Sequence, residues 1–519
     1  MVFEVKDKDL GGRIGKLVTK SGTIETPAFF PVINPLKQFK EVPVSLLKDL
    51  GFTQLITNAY IIKKSVGGIQ EIHKFLGFDG VVMTDSGAYQ LLRYGRRSVH
   101  IDPVEIVKFQ DAIGSDIAVI ADIPTRDDAT YEEALYSVEE TLRRAKMVLD
   151  IVGRSKTLWV LPVQGGIHLR LLRKSALMSK ELEGFSIYAI GSPVLLMEKY
   201  EYSKVIEMVL TVKKVLPIDK PVHLFGAGHP MIIPFIVALG VDMFDSASYI
   251  LYARDGRYIT ERITYKLEDL DYLPCECPIC SKYDVKSLLE LSNEERIRNL
   301  ALHNLYVILR EIKKVKVAIR EGRLWELLEE RARSHPSLRY LLTLFRRKDI
   351  SKLIELLDPR VRGDAHALFL YETTSLSRPE LIRHDDYLNR YIDMRGGSGR
   401  TALLIPRITE ENYEDFVKDS LAKFNVTIDD AYFYIPFFTL IPMVLSDTYP
   451  YSQFKIPEDV DRDILLIFAN RLRRYVRKLL TIYEKVHIIS CSRYRWCSEA
   501  FIKKSLKELI SSNVNIINV

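Results

Sequence analysis

Two aspartates in matching settings have the side chains needed for a two-step substitution at a sugar carbon. Asp85 is followed by a Ser-Gly pair and Asp245 by a Ser-Ala pair, and each stands at the end of an apolar run. In a double displacement one carboxylate attacks the anomeric carbon, while the other donates and later accepts a proton. An Asp-Ser pair alone is more often the N-cap of the next helix, so the pattern leaves both interpretations open.

Three cysteines and a histidine have the types and spacing of a metal site. Cys275, Cys277 and Cys280 lie close together, and His303 follows in a segment with helical periodicity. Three thiolates and an imidazole fill the tetrahedral shell that Zn2+ prefers and leave no position for a catalytic water. We therefore predict one structural zinc ion per chain, with a chance cluster of buried cysteines as the alternative.

Seven apolar runs in the first half of the chain end in Asp, Asn, Gln or Gly, and these runs must position the candidate groups. Continuous apolar runs indicate strands buried on both faces, as in a parallel sheet covered by helices. Because active sites of such sheets lie at the carboxyl ends of the strands, the polar endings are candidate site residues. The runs are residues 55–58, 81–87, 117–122, 158–166, 188–191, 222–226 and 241–245.

Segments with helical spacing separate the runs, for example residues 103–113, 131–152 and 204–216. Seven or eight strand-helix repeats in about 260 residues have the length and rhythm of a (β/α)8 barrel. A doubly wound open sheet has the same alternation, but its site is concentrated at one switch point. Since polar endings recur after nearly every run, we predict an α/β fold of the TIM-barrel type.

The pattern changes after residue 272, where helical periodicity dominates, and a Pro-Arg-Val-Arg-Gly stretch near residue 360 resembles a hinge. We assign residues 1–345 to the barrel, with a zinc subdomain at about 272–345. Residues 360–455 are assigned to an α+β C-terminal domain and residues 456–519 to a basic helical region. A candidate surface for a phosphate backbone lies in that last region and comprises Arg471, Arg473, Arg474, Arg477 and Lys478, interleaved with Tyr475 and followed by Tyr483.

The composition is that of a soluble globular protein. Hydrophobic residues make up 47% and charged residues 27% of the chain, and the net charge is +6, so a disordered or fibrous protein is excluded. Residues 1–8 lack an apolar segment, and the apolar stretch at 231–239 is too short for a membrane span. We expect a cytoplasmic protein with no membrane association. Five cysteines do not predict a disulfide framework, and Cys491 and Cys497 are interpreted as ordinary thiols.

Seven motifs, in this order, resemble those of the tRNA-guanine transglycosylases. They lie within residues 1 to about 305, and the Asp-Ser-Ala-Ser-Tyr segment that begins at Asp245 is similar to the archaeal branch. The motifs are Asp-Ser-Gly-Ala-Tyr-Gln at 85–90, Ala-Asp-Ile-Pro-Thr at 121–125, Val-Gln-Gly-Gly at 163–166, Ala-Ile-Gly-Ser-Pro at 189–193, Phe-Gly-Ala-Gly-His-Pro at 225–230, Phe-Asp-Ser-Ala-Ser-Tyr at 244–249, and Cys-x-Cys-x-x-Cys with the later histidine.

The resemblance implies a zinc-containing barrel that cuts the N-glycosidic bond of a guanosine in tRNA. In the archaeal branch the target is guanine 15 of the D-arm, and the incoming base is 7-cyano-7-deazaguanine, in archaeosine biosynthesis. By position, Asp245 matches the nucleophile and Asp85 the general acid/base. The base-binding matches are Asp122 for the donor edge of the base, Gln164 and the backbone of Gly191 for the rest of the pocket, and Tyr89 for stacking.

The resemblance also implies partners, a homodimer and binding of tRNA among them. Archaeal members usually end in a β-barrel RNA-binding module of the PUA type, but residues 486–519 are too few for it and are predicted to be largely helical from Ser498 onward. A separate PUA-domain protein is therefore a hypothesis. Two alternatives stay open: a non-catalytic RNA-binding paralogue, and a zinc-stabilised barrel hydrolase of small nucleosides.

Overall fold

The computed structural model describes residues 2–36, 41–66, 71–88, 101–191, 193–360, 367–395, 400–408, 413–510 and 513–518. The chain divides into two compact units, Met1–Leu344 and Phe345–Val519. In the part of the chain that the structure describes, no helix has the length and apolar character needed to cross a membrane.

The first unit contains a closed parallel barrel of eight strands, which confirms the predicted fold class and excludes the open sheet. An antiparallel sheet of β1 (Phe3–Asp9), β2 (Gly12–Val18) and β3 (Thr23–Glu25) precedes it. Seven of the barrel strands match the seven apolar runs. The strands are β4 (Ala28–Ile33), β5 (Gln54–Asn58), β6 (Val81–Asp85), β7 (Ile117–Val119), β8 (Leu158–Val163), β9 (Ile187–Ile190), β10 (Val222–Leu224) and β11 (Met243–Ser246).

Strand β4, which was not among the predicted strands, closes the barrel. It pairs with β11 on one side and with β5 on the other, so that Asp245 lies opposite Phe30. Its apolar run is followed by Asn34, so this strand carries the same sequence signal as the seven predicted ones. Inward side chains fill the barrel, among them Phe30, Met83 and Val160, so the open space for a substrate is at the carboxyl rim.

Helices cover the barrel, and their ends have capping signals. Thr130 forms a capping box with Glu133, and Asp102 accepts from the backbone N–H groups of Val104 and Glu105. The helices are α1 (Val44–Asp49), α2 (Ala59–Val66), α3 (Ile72–Leu76), α4 (Pro103–Ala112), α5 (Tyr131–Met147), α6 (Leu149–Arg154), α7 (Leu169–Lys180), α8 (Val194–Glu198), α9 (Tyr202–Lys213), α10 (Ile233–Ala238) and α11 (Ser248–Arg254).

The rest of the first unit carries the cysteine cluster. A hairpin of β12 (Arg257–Ile259) and β13 (Thr264–Lys266) leads through a 3-10 turn at Leu267–Asp269 into helices, of which the longest begins after the N-cap Ser292. The helices are α12 (Pro278–Lys282), α13 (Val285–Glu290), α14 (Asn293–Glu321), α15 (Leu324–Ala332) and α16 (Pro336–Leu344).

The second unit has a five-stranded sheet in the order β17-β16-β15-β19-β20, parallel except for β17. A two-stranded sheet pairs β14 (Leu368–Phe369) with β18 (Phe454–Lys455). The other elements are α17 (Lys348–Leu357), α18 (Pro379–Asp393), β15 (Thr401–Pro406), α19 (Tyr413–Phe424), β16 (Ala431–Ile435), β17 (Thr439–Pro442), α20 (Arg462–Leu479), β19 (Lys485–Ser490), α21 (Glu499–Ser505) and β20 (Val514–Asn518), with 3-10 turns at Thr373–Ser377, Ile428–Asp430, Met443–Leu445 and Arg495–Cys497.

This sheet corrects two sequence-based expectations. Strand β19 pairs with β15 and β20 pairs with β19, so residues 456–519 share a sheet with residues 360–455 and do not form a separate helical region. In addition, Cys491 and Cys497 form a disulfide bond, so they are not ordinary thiols.

The predicted phosphate-binding surface on α20 is largely engaged within the second unit. Arg471 forms an ion pair with Asp385, Arg473 donates to the backbone oxygen of Ser505, and Lys478 donates to the backbone oxygen of Asn389. Tyr475 and Tyr483 are buried in the core of the unit, whereas Arg474 and Arg477 are exposed. Tyr475 therefore serves packing, because helical spacing places it on the apolar face of α20, and Tyr483 packs in the same core beyond the end of the helix.

A buried ion pair joins the antiparallel sheet to the barrel. Arg13 of β2 donates to both carboxylate oxygens of Asp242, at 2.8 and 2.5 Å, and Asp242 directly precedes β11. The side chains are 7% and 0% exposed, so each charge depends on the other for compensation.

Replacing Arg13 with Met should lower the free energy of unfolding of the first unit by about 3–5 kcal/mol, because Asp242 would stay buried without its partner. The matched control is Arg126→Met, whose ion pair with Asp128 is exposed and whose loss should change stability by less than about 1 kcal/mol. Urea unfolding followed by circular dichroism measures both; equally small losses would contradict the prediction.

Candidate active site

Asp245 lies in β11 with its side chain held from the neighbouring strand β10. Its Oδ1 atom accepts hydrogen bonds from Nε2 of His223 at 2.7 Å and from the backbone N–H of Gly226 at 3.2 Å. Neither donor belongs to the N-terminus of the next helix, whose N-cap is Ala247. The side chain is 13% exposed. Asp245 is therefore not a helix cap, and its carboxylate is available at the rim.

Asp85 ends β6 and has the environment of an acid that holds its proton. Its Oδ2 atom accepts from the backbone N–H of Gly87 at 3.1 Å and from Nδ2 of Asn58 at 3.3 Å. Burial raises the pKa of Asp85 to about 7, and the negative charges of Asp122 and Asp245 add to the rise. The three carboxylates are thus within electrostatic reach of one another, and Asp85 titrates close to neutral pH.

Asp122 and Gln164 form a buried pair beside these carboxylates. Nε2 of Gln164 donates to Oδ2 of Asp122 at 2.5 Å, and Oε1 of Gln164 accepts from the backbone N–H of Thr125 at 3.0 Å. Burial raises the pKa of Asp122 to about 6, although the hydrogen bond from Gln164 opposes the rise. The amide therefore engages Oδ2 of Asp122 and fixes the orientation of its carboxylate.

Position 191 is occupied by glycine, which leaves room for the Gln164 side chain to lie against the backbone. A Cβ atom at this position would be 2.3 Å from Nε2 of Gln164. The backbone N–H of Gly191 donates to the carbonyl oxygen of Val163 at 3.3 Å, so it is engaged within the barrel. The structure brings Asp85, Asp122 and Asp245 together at one rim with this pair; Tyr89 lies outside the described residues.

The cysteine cluster has the dimensions of a metal site. The ligand atoms of Cys275, Cys277, Cys280 and His303 all lie within 4.8 Å of one another. Sγ of Cys277 is 3.5 Å from Sγ of Cys280 and 3.5 Å from Nδ1 of His303, close to the edge of about 3.6–3.8 Å of a tetrahedral zinc shell. Nε2 of His303 lies 2.9 Å from the backbone oxygen of Ile259, which orients Nδ1 toward the thiolates. The four groups can hold a metal ion.

A buried asparagine ties this cluster to the rim. Asn304, next to His303 on α14, donates to the backbone oxygens of Tyr249 and Arg257 and accepts from the N–H of Ile259. Tyr249 belongs to the helix that follows the Asp245 strand. The helix that supplies a metal ligand therefore also fixes the segment behind the candidate nucleophile.

Three groups of the site had no assigned role in the sequence: His223, Gly226 and Asn58. A histidine inside an otherwise apolar strand resembles a core residue, and only the adjacency of β10 and β11 reveals its contact with Asp245. Asn58 was visible as a strand ending, but β5 and β6 must pair before its amide can approach Asp85. His229 has a structural role, since its Nε2 lies 2.8 Å from Oγ1 of Thr264 in β13.

The fold and the rim define a (β/α)8-barrel protein with paired carboxylates suited to glycosyl transfer. A family model described as queuine tRNA-ribosyltransferase matches residues 7–337. A relative from Saccharolobus solfataricus, named tRNA-guanine(15) transglycosylase, is 46% identical over 95% of this chain and 97% of its own length. Relatives of the same name from Sulfolobus acidocaldarius and Methanocaldococcus jannaschii are 44% and 42% identical, over 95% and 92% of this chain and 95% and 72% of their own lengths.

The chain therefore belongs to the tRNA-guanine transglycosylase family, and the resemblance that its motifs indicated is confirmed. The family match covers the whole barrel and the cysteine cluster.

Replacing Asp85 with Asn should stabilise the protein most at high pH. The folded protein keeps the Asp85 proton up to a pKa of about 7, whereas the unfolded chain releases it near pH 4, so stability is lost as pH rises through this window. The variant should match the wild type at pH 4 and exceed it at pH 8, by up to about 4 kcal/mol.

Thermal unfolding midpoints across this pH range measure the effect. Ser86→Ala is the control: it changes the adjacent buried residue and introduces no titratable group, so its difference from the wild type should not depend on pH. A difference for Asp85→Asn that is equally constant would contradict the raised pKa.

Proposed function

We propose that this chain exchanges guanine at position 15 of tRNA for 7-cyano-7-deazaguanine, in archaeosine biosynthesis. The observation that carries the proposal is the pair of carboxylates at the rim, Asp245 anchored through one oxygen and Asp85 with a pKa of about 7. The names of the relatives support tRNA and guanine 15 as the substrate. We also propose a cytoplasmic location, because tRNA is modified there.

In the first displacement Asp245 attacks C1′ of the target nucleotide. The new C1′–O bond forms as the C1′–N9 bond breaks, and N9 keeps the bonding electron pair. Asp85, protonated near neutral pH because of its raised pKa, supplies the proton that guanine needs to leave. The product is a glycosyl ester on Asp245.

The second displacement reverses these roles. The incoming 7-cyano-7-deazaguanine loses its N9 proton to Asp85 and attacks C1′, and the ester bond breaks with its electron pair returning to Asp245. Two inversions at one carbon give retained configuration. The target base must leave the stack of the tRNA to reach the barrel rim.

Base recognition is proposed for the neighbouring groups. The carboxylate of Asp122 accepts from the N1–H and 2-amino groups of a guanine-like base, and Gln164 with the Gly191 backbone serves O6. Because the Gln164 amide and the Gly191 N–H already donate within the protein, binding exchanges those bonds for bonds to the base. Tyr89 stacks on the base.

The metal is proposed to be zinc, one ion per chain, bound by Cys275, Cys277, Cys280 and His303. The donor set and the ligand distances support it, and four protein ligands leave no position for a reacting water. Zinc would supply rigidity here and take no part in the reaction.

The assembly is proposed by family analogy: a homodimer, with a separate PUA-domain protein assisting tRNA binding.

Exchange of labelled guanine into unmodified tRNA tests the function. The wild type should incorporate label and form a denaturation-resistant adduct with tRNA, whereas Asp245→Ala should form no adduct and lose at least about 1000-fold in exchange, as nucleophile removal does elsewhere. Asp79→Ala is the control, because this exposed carboxylate precedes the amino end of β6, whereas Asp85 lies at the carboxyl end. Incorporation undiminished in Asp245→Ala would refute the proposal, and free nucleoside hydrolysis without exchange would favour the hydrolase.

Metal analysis of the purified chain tests the zinc site. The wild type should contain one zinc per chain, and Cys277→Ser should lose it together with a large part of the stability of the first unit, because structural zinc contributes directly to folding. The control is the double variant Cys491→Ser and Cys497→Ser, which removes the other two cysteines and should keep the metal. A wild type that binds no zinc, or a Cys277→Ser variant that keeps it, would contradict the assignment.

A further inference from the structure

The two carboxylate oxygens of Asp245 have different surroundings. Oδ1 accepts both hydrogen bonds, from His223 Nε2 at 2.7 Å and from the Gly226 N–H at 3.2 Å. Among the described residues, none donates to Oδ2. One oxygen is thus anchored and the other is free, although the two are chemically equivalent in an isolated carboxylate.

His223 is directed at Asp245 by its surroundings. Its side chain is fully buried between the rings of Phe30 and Phe225, and Nδ1 has no partner within the described part of the chain. Because Nε2 lies 2.7 Å from Oδ1 of the Asp245 carboxylate, which can only accept, the proton on Nε2 is directed at that oxygen.

Gly226 is the second donor, and only glycine fits there. Its φ of +71° lies in the left-handed region, and a Cβ atom would be 2.2 Å from Cγ2 of Val194. This conformation turns the backbone N–H toward Oδ1 of Asp245. Two donors from one strand-loop junction therefore converge on the same oxygen.

We infer that His223 is a positioning residue that fixes Oδ1 of Asp245, so that Oδ2 attacks C1′, and that it assists the departure of Asp245 in the second displacement. The inference rests on the proposed role of Asp245 as the nucleophile. In the glycosyl ester Oδ2 is bonded to C1′ and Oδ1 is the carbonyl oxygen, which is a weaker acceptor than a carboxylate.

The donor acts differently in the two displacements. When the C1′–Oδ2 bond breaks, its electron pair returns to the carboxylate, negative charge develops on both oxygens, and the hydrogen bond from His223 strengthens. In the first displacement the hydrogen bond from His223 orients Asp245 for attack, but it also draws negative charge away from the attacking carboxylate. These two effects on the rate of attack oppose each other. Loss of the donor therefore slows the second step more than the first.

A matched pair of variants separates the donor from the volume of the side chain. In Gln the Nε2 atom is four bonds from Cα, as it is in His, and Met has a similar length and no donor. Each variant of the full chain is first incubated with unmodified tRNA in the absence of free base, so that the covalent adduct accumulates. Guanine is then added, and the rate at which the adduct disappears is measured.

In His223→Met the adduct should form and its loss on the chase should slow by about 10- to 100-fold, as expected for a lost hydrogen bond to a charged group. The KM for tRNA should stay within about twofold, and His223→Gln should restore most of the chase rate. A structural role alone would lower adduct formation in both variants alike.

Two results would contradict the role of His223 and leave the proposed function intact. One is an equal chase rate in the Met and Gln variants; the other is reduced adduct formation in His223→Met with an unchanged chase rate. Wild type and Asp245→Ala are measured in the same experiment. Absence of an adduct in the wild type, or its presence in Asp245→Ala, refutes the proposed function and the inference with it, so the two failures are distinguishable.

Discussion

The carboxylates of Asp85, Asp122 and Asp245 lie at one largely buried rim of the barrel, and the electrostatic repulsion between them constrains the whole site. Like charges in a buried space cannot all stay ionised without donors to compensate them. Asp245 receives two donors to one oxygen, and Asp122 receives the amide of Gln164. Asp85 accepts a longer bond from Asn58 and a bond from the backbone N–H of Gly87, and burial raises its pKa to about 7. Asp245 and Asp85 thus have different surroundings, as the proposed roles of nucleophile and general acid require.

This arrangement of donors depends on close approaches of the backbone. Gly191 leaves room for the Gln164 side chain, and Gly226 takes a left-handed conformation that directs its N–H at Asp245. Both glycines follow barrel strands, where the chain turns from the sheet into a loop. A side chain at either position would displace the donor itself, so the electrostatic balance of the rim is encoded in residues that carry no charge.

The sequence predicted the barrel, most of its strands and the ligand set of the metal site, because these depend on local patterns: apolar runs, polar endings and short cysteine spacing. It missed what depends on pairing between distant segments. Strands β19 and β20 join the sheet only through the pairing of β19 with β15 and of β20 with β19. Tyr475 of α20 resembled part of a nucleic-acid surface because helical spacing does not show which face is buried. His223 gained a role only when two strands brought it to Asp245.

The cysteine cluster also affects the position of Asp245, although it takes no part in the proposed reaction. A metal ion that links Cys280 to His303 would fix α14 against the hairpin β12–β13, and its binding energy would add to the stability of the folded state. Asn304, one residue further along that helix, holds the first turn of α11 through Tyr249 and the start of β12 through Arg257. Since α11 begins two residues after β11 ends, movement of α14 would be passed to Asp245. A metal ion held by this cluster would therefore support the proposed nucleophile without touching it, by making α14 rigid.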